Sequence, residues 1–342
     1  MRILASAAIA ALIVALPSAA ADTASQPLYR LVKEVPLGAP DRWDYVVFHE
    51  GRVYVAHGDR VTVVDAATES AIGTVEGMPG GTHGVAFAAG KGYTDDGKAG
   101  TATAFDLKTL KPIRTIKAEP DADGIIFDPT SGHIIVIDGD SARLTVIDPA
   151  SDAAVATIDA GGGLEFGVSG ENGKVYVDGA EKGEIVRVDT RTNTADAHWP
   201  MEGCVKPHGL AIDRQTHRLF SSCANKLMFV VNADTGAVVA ELPIGEGSDF
   251  AEFDPVRKWA LSSNRDGTLS IIAEKSPDSF EVLPAVQTAF GARTMAIDPK
   301  TGRVYLATAE FEVNPNATDA RHRFAAKPGS AKLLILEPTA PN

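Results

Sequence analysis

The chain repeats one pattern seven times, with successive copies starting 39 to 44 residues apart. Each copy begins with an ionisable residue and four mostly apolar residues, passes through a turn into a second β-rich run, and reaches a third run that ends in an acid. A fourth run follows in most copies, as in "AAVATIDA". Four short strands in each period of about 40 to 45 residues are typical of a β-propeller blade.

Seven copies predict an all-β fold, a seven-bladed β-propeller with four antiparallel strands per blade. The last copy lacks its fourth strand because the chain ends "LEPTAPN", whereas an unassigned strand, "LYRLVKEVPLG", precedes the first copy. We therefore expect the N-terminal strand to complete the last blade and close the ring. A chain of 342 residues with 44% hydrophobic residues can fill one such domain, from 27 to 337.

The first 21 residues have the layout of a cleavable secretory signal. Arg2 precedes an apolar run from Ile3 to Leu16, and small residues follow up to Ala21. The run is shorter than the roughly 20 residues that span a bilayer. We expect residues 1–21 to be removed, leaving a secreted monomer with no membrane span.

Three segments carry a resemblance to a known family: "RVYVAHGDRVTVVDAATESAIGTV", "KVYVDGAEKGEIVRVDTRTNT" and "RVYLATAE". They resemble the YVTN-repeat, YncE-like β-propellers of bacterial periplasms, which implies a periplasmic protein. The asparagine of the repeat is not kept, since His57, Asp138, Cys223 and Thr308 occupy or flank its place. Such blades carry binding proteins, lyases and redox enzymes alike, so the resemblance indicates fold rather than activity.

The two cysteines are predicted to form a disulfide, because export places them in an oxidising compartment. Cys204 lies in the connection that leads to His208, and Cys223 ends the second strand of the same blade. A thiolate metal pair is the alternative, although such pairs usually have closer spacing or more partners. The bridge would hold the loop at the channel mouth.

Many of the acidic residues are expected to have a structural role in turns. Asp-Pro pairs such as Asp128-Pro129 open the turn between the first two strands, where the carboxylate accepts backbone N–H groups. We interpret two sets of residues in this structural way: Asp128, Asp213, Asp254 and Asp298, and the third-strand ends Asp65, Asp106, Asp148 and Asp189.

One column of the alignment is not explained by turns, because every blade places an ionisable residue at the start of its innermost strand. These strand starts surround the central channel of a propeller at one face. The candidate channel-ring or ligand-binding residues are Asp44, His83, Asp123, Glu165, His208, Asp249 and Arg293. Further polar residues are expected in loops at the same face: His57, Asp95, Asp96, Asp140, Asn225, Asn264 and Asp266.

With neutral histidines the column sums to four negative charges and one positive charge, and Arg293 is expected to pair with Asp249 or Asp44. Mixed His and carboxylate ligands suit Zn²⁺ or another transition metal, whereas carboxylates with water suit Ca²⁺ or Mg²⁺. The metal-ligand hypothesis is His208 with Asp249 and Glu165. His83 with Asp44 and Asp123 form a second compact group. No CxxCH motif occurs, so we expect no haem.

The last blade has the single long insertion, 309–331. Loops longer than about 15 residues in compact domains are usually functional or disordered. Its basic residues would fold over an acidic mouth: Arg321, His322, Arg323 and Lys327.

The formal charge of −13 argues against a nucleic-acid surface. We predict a periplasmic module that binds a small ligand, a metal or an envelope protein at the channel face. One alternative is a metal-assisted lyase or hydrolase, with His208 or His83 as acid or base and no catalytic residue assigned. The others are a structural scaffold for protein interactions and a water-filled channel whose lining only solvates the strand ends.

Overall fold

A computed structural model of the protein describes residues 27–318 and 323–339. The predicted signal peptide lies outside these residues. Strands and turns, but no helix, make up the described ranges. No segment of that part of the chain forms a helix long and apolar enough to cross a membrane.

The strands are numbered in chain order. The first strand, β1, is Tyr29–Pro36. Blade 1 contains β2 (Val46–His49), β3 (Arg52–His57), β4 (Arg60–Asp65) and β5 (Ser70–Glu76). Blade 2 contains β6 (Val85–Ala88), β7 (Lys91–Asp96), β8 (Thr101–Asp106) and β9 (Pro112–Lys117). Blade 3 contains β10 (Ala122–Asp128), β11 (His133–Asp138), β12 (Arg143–Asp148) and β13 (Ala153–Asp159).

Blade 4 contains β14 (Gly167–Ser169), β15 (Lys174–Gly179), β16 (Glu184–Asp189) and β17 (Thr194–Pro200). Blade 5 contains β18 (Pro207–Asp213), β19 (Arg218–Cys223), β20 (Leu227–Asn232) and β21 (Val238–Pro243). Blade 6 contains β22 (Ser248–Asp254), β23 (Trp259–Asn264), β24 (Thr268–Ser276) and β25 (Ser279–Gln287). The last part of the chain contains β26 (Thr294–Ile297), β27 (Val304–Thr308), β28 (Phe311–Val313), β29 (Phe324–Ala326) and β30 (Lys332–Pro338).

Seven antiparallel four-stranded sheets form the ring, and the predicted seven-bladed β-propeller is confirmed. Blades 1 to 6 follow chain order from the inner to the outer strand. Blade 7 has the order β26, β27, β30 and β1, and β1 pairs with β30 from Tyr29 opposite Pro338 to Pro36 opposite Lys332. The N-terminal strand therefore closes the ring, as the missing fourth strand of the last copy predicts.

The middle strands are buried on both faces because each blade is covered by its two neighbours. β4 and β12 each have four successive buried residues, whereas the outermost β5 and β9 are mostly exposed. Val55 and Val64 of blade 1 pack in one cluster with Tyr305 and Leu333 of blade 7. Burial on both faces explains why these strands are nearly continuous apolar runs rather than alternating ones.

The turn acids have the structural role that the repeats predict. Asp254 accepts the backbone N–H groups of Val256 and Arg257 at 2.8 and 3.0 Å. At the end of a third strand, Asp106 accepts the N–H group of Thr109 at 2.7 Å. These carboxylates satisfy the backbone of tight turns and lie outside the channel site.

Cys204 and Cys223 form the predicted disulfide, with their Cα atoms 5.6 Å apart. Cys204 follows β17, and Cys223 ends β19 within an apolar cluster shared by blades 4 and 5. The bridge ties the connection before β18 to the neighbouring strand. It therefore fixes the start of the strand that carries His208.

Removing the bridge with the double substitution Cys204→Ser and Cys223→Ala should lower the free energy of unfolding by about 3 kcal/mol, because a closed loop of this size limits the unfolded chain. Equilibrium urea unfolding of the two proteins measures the difference. The wild-type protein unfolded in excess dithiothreitol is the matched control and should behave like the double variant. Equal stability of the oxidised wild type and the variant would contradict the prediction.

Candidate functional site

The ring residues occupy an irregular position at the start of each inner strand. In blade 3, Ala122 pairs with Asp138 and Gly124 pairs with Ile137, so Asp123 is the extra residue of a β-bulge. The pairings of β18 and β22 shift at the same position, which makes His208 and Asp249 the extra residues there. Bulges redirect side chains and are frequent beside functional sites. Here they bring residues from different blades within reach of one another.

Six of the seven ring side chains form ion pairs across neighbouring blades. His208 Nδ1 lies 3.2 Å from a carboxylate oxygen of Glu165 and 3.9 Å from one of Asp249. Asp249 also pairs with Arg293, as expected from their neighbouring blades. His83 Nδ1 lies 3.6 Å from Asp123. Acidic and basic residues almost alternate around the ring, and Asp123 and Glu165 are the only neighbours of like charge in it.

Protonation of a histidine changes the net charge of the ring from the value counted with neutral histidines. Burial opposes the charge on His83, but the hydrogen bond to Asp95 and the negative charges of Asp95, Asp44 and Asp123 raise its pKa to about 10. Burial opposes the charge on His208 as well, and Glu165 and Asp249 nevertheless raise the pKa of its imidazole. The count of four negative charges against one positive charge applies to neutral histidines only. His83 therefore carries a proton at neutral pH and offsets part of the negative charge of its neighbours.

Two acids of the ring, Asp44 and Asp123, are held partly neutral by burial. Desolvation raises the pKa of Asp44 well above its usual range, although the charge of Arg293 opposes the shift. Desolvation also raises the pKa of Asp123 to about 7, against the pull of His83. A carboxyl group whose pKa is raised in this way holds a proton that a bound cation can replace.

Two buried acids lie behind the ring on the second strands. Asp95 accepts the backbone N–H groups of His83 and Gly84 at 2.6 and 2.9 Å. Asp178 accepts the hydroxyl of Ser221 at 2.8 Å, and burial raises its pKa to about 8. Sequence alignment missed Asp178 because it lies in the repeated second strand, where most copies have an apolar or small residue.

Four of the polar residues expected in loops lie instead at buried ends of second strands: His57, Asp95, Asp96 and Asn264. Asp96 accepts the backbone N–H group of Gly80 at 3.1 Å. The side-chain amide of Asn264 donates to the carbonyl oxygen of Thr268 at 3.1 Å. Such contacts brace the connections around the mouth, so these side chains are not free to bind a ligand.

Three aromatic rings close the channel directly below the ionisable ring. Tyr45, Phe166 and Phe250 have ring centroids 4.7 to 5.2 Å apart. They follow the ring residue in blades 1, 4 and 6, whereas blades 2, 3 and 5 have glycine at that position. At Gly209 a Cβ atom would come within 2.6 Å of the Phe250 backbone, so the plug needs glycine there. The three rings are therefore in contact with one another at this level of the channel.

The blade-7 insertion folds over one side of the mouth as a hairpin of β28 and β29. Phe311 of the hairpin contacts Trp43 and Phe290, with centroids 6.2 and 5.0 Å apart. Asp41 anchors its base by accepting the N–H groups of residues 329–331. Lys327 pairs with Glu310 inside the insertion at 3.1 Å rather than with the ring. The prediction that Lys327 folds over the acidic mouth is therefore wrong.

Arg323 of the insertion lies beside the ring of its neighbour Phe324, with 5.5 Å between the guanidinium carbon and the ring centroid. Arg321 and His322, the other basic residues predicted to cover the mouth, lie outside the described residues. A cavity of about 300 Å³ remains between the hairpin and the ring. Its wall includes Arg42, Arg265, Arg293, Trp43, Asp44 and His83.

Asp44, His83 and Asp123 form the most compact group of possible metal ligands. Each residue offers one ligand atom, and these atoms all lie within 4.8 Å of one another. Within 27–318 and 323–339, no other three His, Cys, Asp or Glu side chains meet this criterion. The distances between ligand atoms thus favour this group over His208 with Glu165 and Asp249.

The orientation of His83 suits a ligand. Its Nδ1–H group donates to the carbonyl oxygen of Ala122 at 3.0 Å, which leaves Nε2 as the second ring nitrogen. Gly97 packs against the imidazole, and a Cβ atom there would come within 2.4 Å of Cε1. A backbone carbonyl that fixes the tautomer of a ligating histidine is a common feature of metal sites.

Comparisons with known proteins define the fold and not the activity. No protein-family model and no curated protein matches the chain. Among solved structures, the chain is similar to Kuenenia stuttgartiensis hydrazine synthase, with a TM-score of 0.69 and 14% identity over 78% of this chain and 93% of the other. Such low identity shows a shared β-propeller fold alone. Fold and site together define a seven-bladed β-propeller with a ring of ionisable residues at one channel mouth.

The substitution His83→Gln tests the protonation of the ring in metal-free protein. Because the pKa of folded His83 is raised to about 10, its stabilising proton is fully bound below the usual histidine pKa and is lost as the pH rises towards 10. The difference in unfolding free energy between wild type and variant should therefore be constant below about pH 6.5 and shrink at higher pH. Urea unfolding at a series of pH values measures it.

The matched control is His49→Gln, which should show the opposite dependence. Burial lowers the pKa of His49, so its contribution is constant above about pH 6.5 and declines as the pH falls. A difference for His83→Gln that stays flat from neutral pH to pH 10 would show that His83 is neutral in the ring.

Proposed function

We propose that the protein is a binding module that holds a divalent transition-metal cation at Asp44, His83 and Asp123 in the channel mouth. The observation that carries the proposal is the approach of their three ligand atoms to within 4.8 Å of one another. One imidazole nitrogen and two carboxylates suit Zn²⁺ or Mn²⁺ better than an all-oxygen ion such as Ca²⁺.

The electrostatics of the group support a cation. Asp44 and Asp123 have raised pKa values chiefly because burial removes water from their carboxylates. A divalent ion would replace the protons that now reduce this negative charge. Asp95 and the carbonyl oxygen of Ala122 lie close to His83 Nδ1 and would hold the imidazole in position beside the ion.

The adjoining cavity supports a second candidate, metal-assisted catalysis on an organic anion. The cavity of about 300 Å³ shares Asp44 and His83 with the metal group and is lined by Arg42 and Arg293. Arginines suit a carboxylate or phosphate. A metal ion next to such a ligand would polarise a carbonyl group or lower the pKa of a bound water, as a lyase or hydrolase requires.

The proposal includes export to the periplasm and membership of the YncE-like propellers. The predicted signal sequence of residues 1–21 supports export. The disulfide between Cys204 and Cys223 supports an oxidising compartment. The YVTN-like repeats support the family. Partners would be a small ligand or another envelope protein that meets the face with the hairpin.

Zn²⁺ binding by the purified, chelator-treated protein tests the proposal. We expect one site by isothermal titration calorimetry, with proton release and an affinity that increases with pH because the ion displaces protons from Asp123 and His83. The substitutions Asp123→Asn and His83→Gln should each weaken binding by at least about tenfold.

Two further variants serve as controls. Asp140→Asn removes an exposed acid next to the mouth that is not part of the group, and it should leave Zn²⁺ affinity unchanged. His208→Gln should also leave the affinity unchanged. Loss of binding in His208→Gln but not in His83→Gln would move the site to His208, Glu165 and Asp249. No binding to the wild type would disprove the metal proposal.

A further inference from the structure

A second and larger cavity lies on the opposite side of the aromatic plug. It has a volume of about 620 Å³ and is lined by the inner strands of blades 1 to 6. Tyr45, Phe166 and Phe250 form its closed end. None of the seven ring residues lines it, so it is separate from the proposed metal group. Its volume lies within the range of about 300 to 1,000 Å³ that is common for small-molecule pockets.

The wall of this cavity combines apolar side chains with four ionisable residues, which are His49, Glu171, Arg214 and Glu252. Two residues beyond the plug position, each inner strand again turns a side chain towards the channel. The residues at this level that line the cavity are Val47, Ala86, Ile126, Val168, Ala211 and Glu252. Glu252 is the only ionisable residue among them. It lies on β22 two residues after Phe250, so the strand that supplies part of the plug also supplies this acid.

Aromatic side chains form another part of the cavity wall. Phe87, Phe127 and Phe253 belong to the lining, and His49 stacks on Phe87 with ring centroids 3.9 Å apart. Aromatic faces favour a nearby cation, because the ring quadrupole places negative potential above the ring. The lining therefore combines a large apolar surface with groups that favour positive charge.

Arg214 is the basic residue nearest to Glu252 and is already engaged. Its Nε–H group donates to the carbonyl oxygen of Ser169 at 3.1 Å, and it pairs with Glu171 at 3.0 Å. Glu252 forms no ion pair with any described residue, and burial raises its pKa to about 7, with only a smaller opposing effect from Arg214. The local sum of Arg214, Glu171 and ionised Glu252 is one negative charge. A cation that enters the cavity would balance it.

We propose that this cavity binds a hydrophobic molecule that carries one protonated amine, with the amine paired to Glu252 and the apolar part against the inner strands. An apolar ligand without the amine would leave a buried carboxyl group without a partner, which costs free energy. A carboxylate ligand would face Glu252 as a like charge.

Three probes of similar shape test the chemistry: phenylbutylamine, phenylbutanol and phenylbutyrate. We expect calorimetry on the purified protein to show that the amine binds at least about tenfold more tightly than the alcohol, because its hydrogen bond to Glu252 is charge-assisted. The carboxylate should bind more weakly than both. In Glu252→Gln the preference for the amine should disappear, while the affinity for the alcohol changes by less than about threefold.

Two variants complete the test. Glu171→Gln removes an exposed rim acid and should leave the preference for the amine in place. Val168→Phe should fill the cavity and abolish binding of all three probes, with a thermal unfolding midpoint near that of the wild type as the check on folding. Equal affinities for amine and alcohol, tighter binding of the carboxylate, or no binding of any probe would each overturn the proposal. None of these outcomes bears on Zn²⁺ binding, because the two sites share no residue.

Discussion

The structure depends on the pairing of β1 with β30, which joins the two ends of the chain in one blade. Without it, blades 1 and 7 would have no fixed contact, and the edge of β30 would remain unpaired. Closure places Thr294 of blade 7 beside blade 1, where its hydroxyl donates to the carbonyl oxygen of Asp44 at 2.7 Å. The charges of Asp44 and Arg293 interact for the same reason. A complete ring of strand starts exists only in the closed form.

Closure also creates an electrostatic problem, because it crowds seven ionisable groups into a partly buried ring. Isolated buried charges are very unfavourable, whereas paired ones are tolerated. The order of the residues around the ring reduces this cost. His208 lies between Glu165 and Asp249, and Arg293 pairs with Asp249 from the other side. The alternation of acidic and basic residues is interrupted between blades 3 and 4, where the acids Asp123 and Glu165 are neighbours. Asp123 belongs to that pair and to the compact metal group, so the unbalanced charge and the ligand geometry coincide.

Much of this could be predicted from the sequence, because it follows from repetition. The blade count, the strand-completed ring, the turn acids and the column that contains Asp44 and His83 all follow from aligning the copies. The disulfide follows from the cysteine count together with the predicted export signal. The protonation of His83 could not be predicted, because it depends on Asp95 and Asp123, which reach it only after folding. The repeat gives the position of a side chain but not the charges that surround it.

The aromatic plug was missed for a related reason. Tyr45, Phe166 and Phe250 stand in three separate copies, each as one more apolar residue in an apolar run, and only the closed ring brings them into contact. Glu252 was missed for the same reason, because within its copy it is a single acid among apolar residues. In both cases a residue differs from those at the equivalent position of other blades. Its role depends on contacts with side chains of other blades, which the sequence does not show.

The plug also limits what the protein can do with its channel. Packed cores resist small displacements, so a ligand at one mouth cannot reach the other without moving at least one of the three rings. The two mouths differ in chemistry as well, with compensated charges at one and apolar walls around Glu252 at the other. A path that changes from charged to apolar across a tight aromatic contact does not suit passage of a single solute. The channel is therefore two pockets back to back, separated by the contact of Tyr45, Phe166 and Phe250.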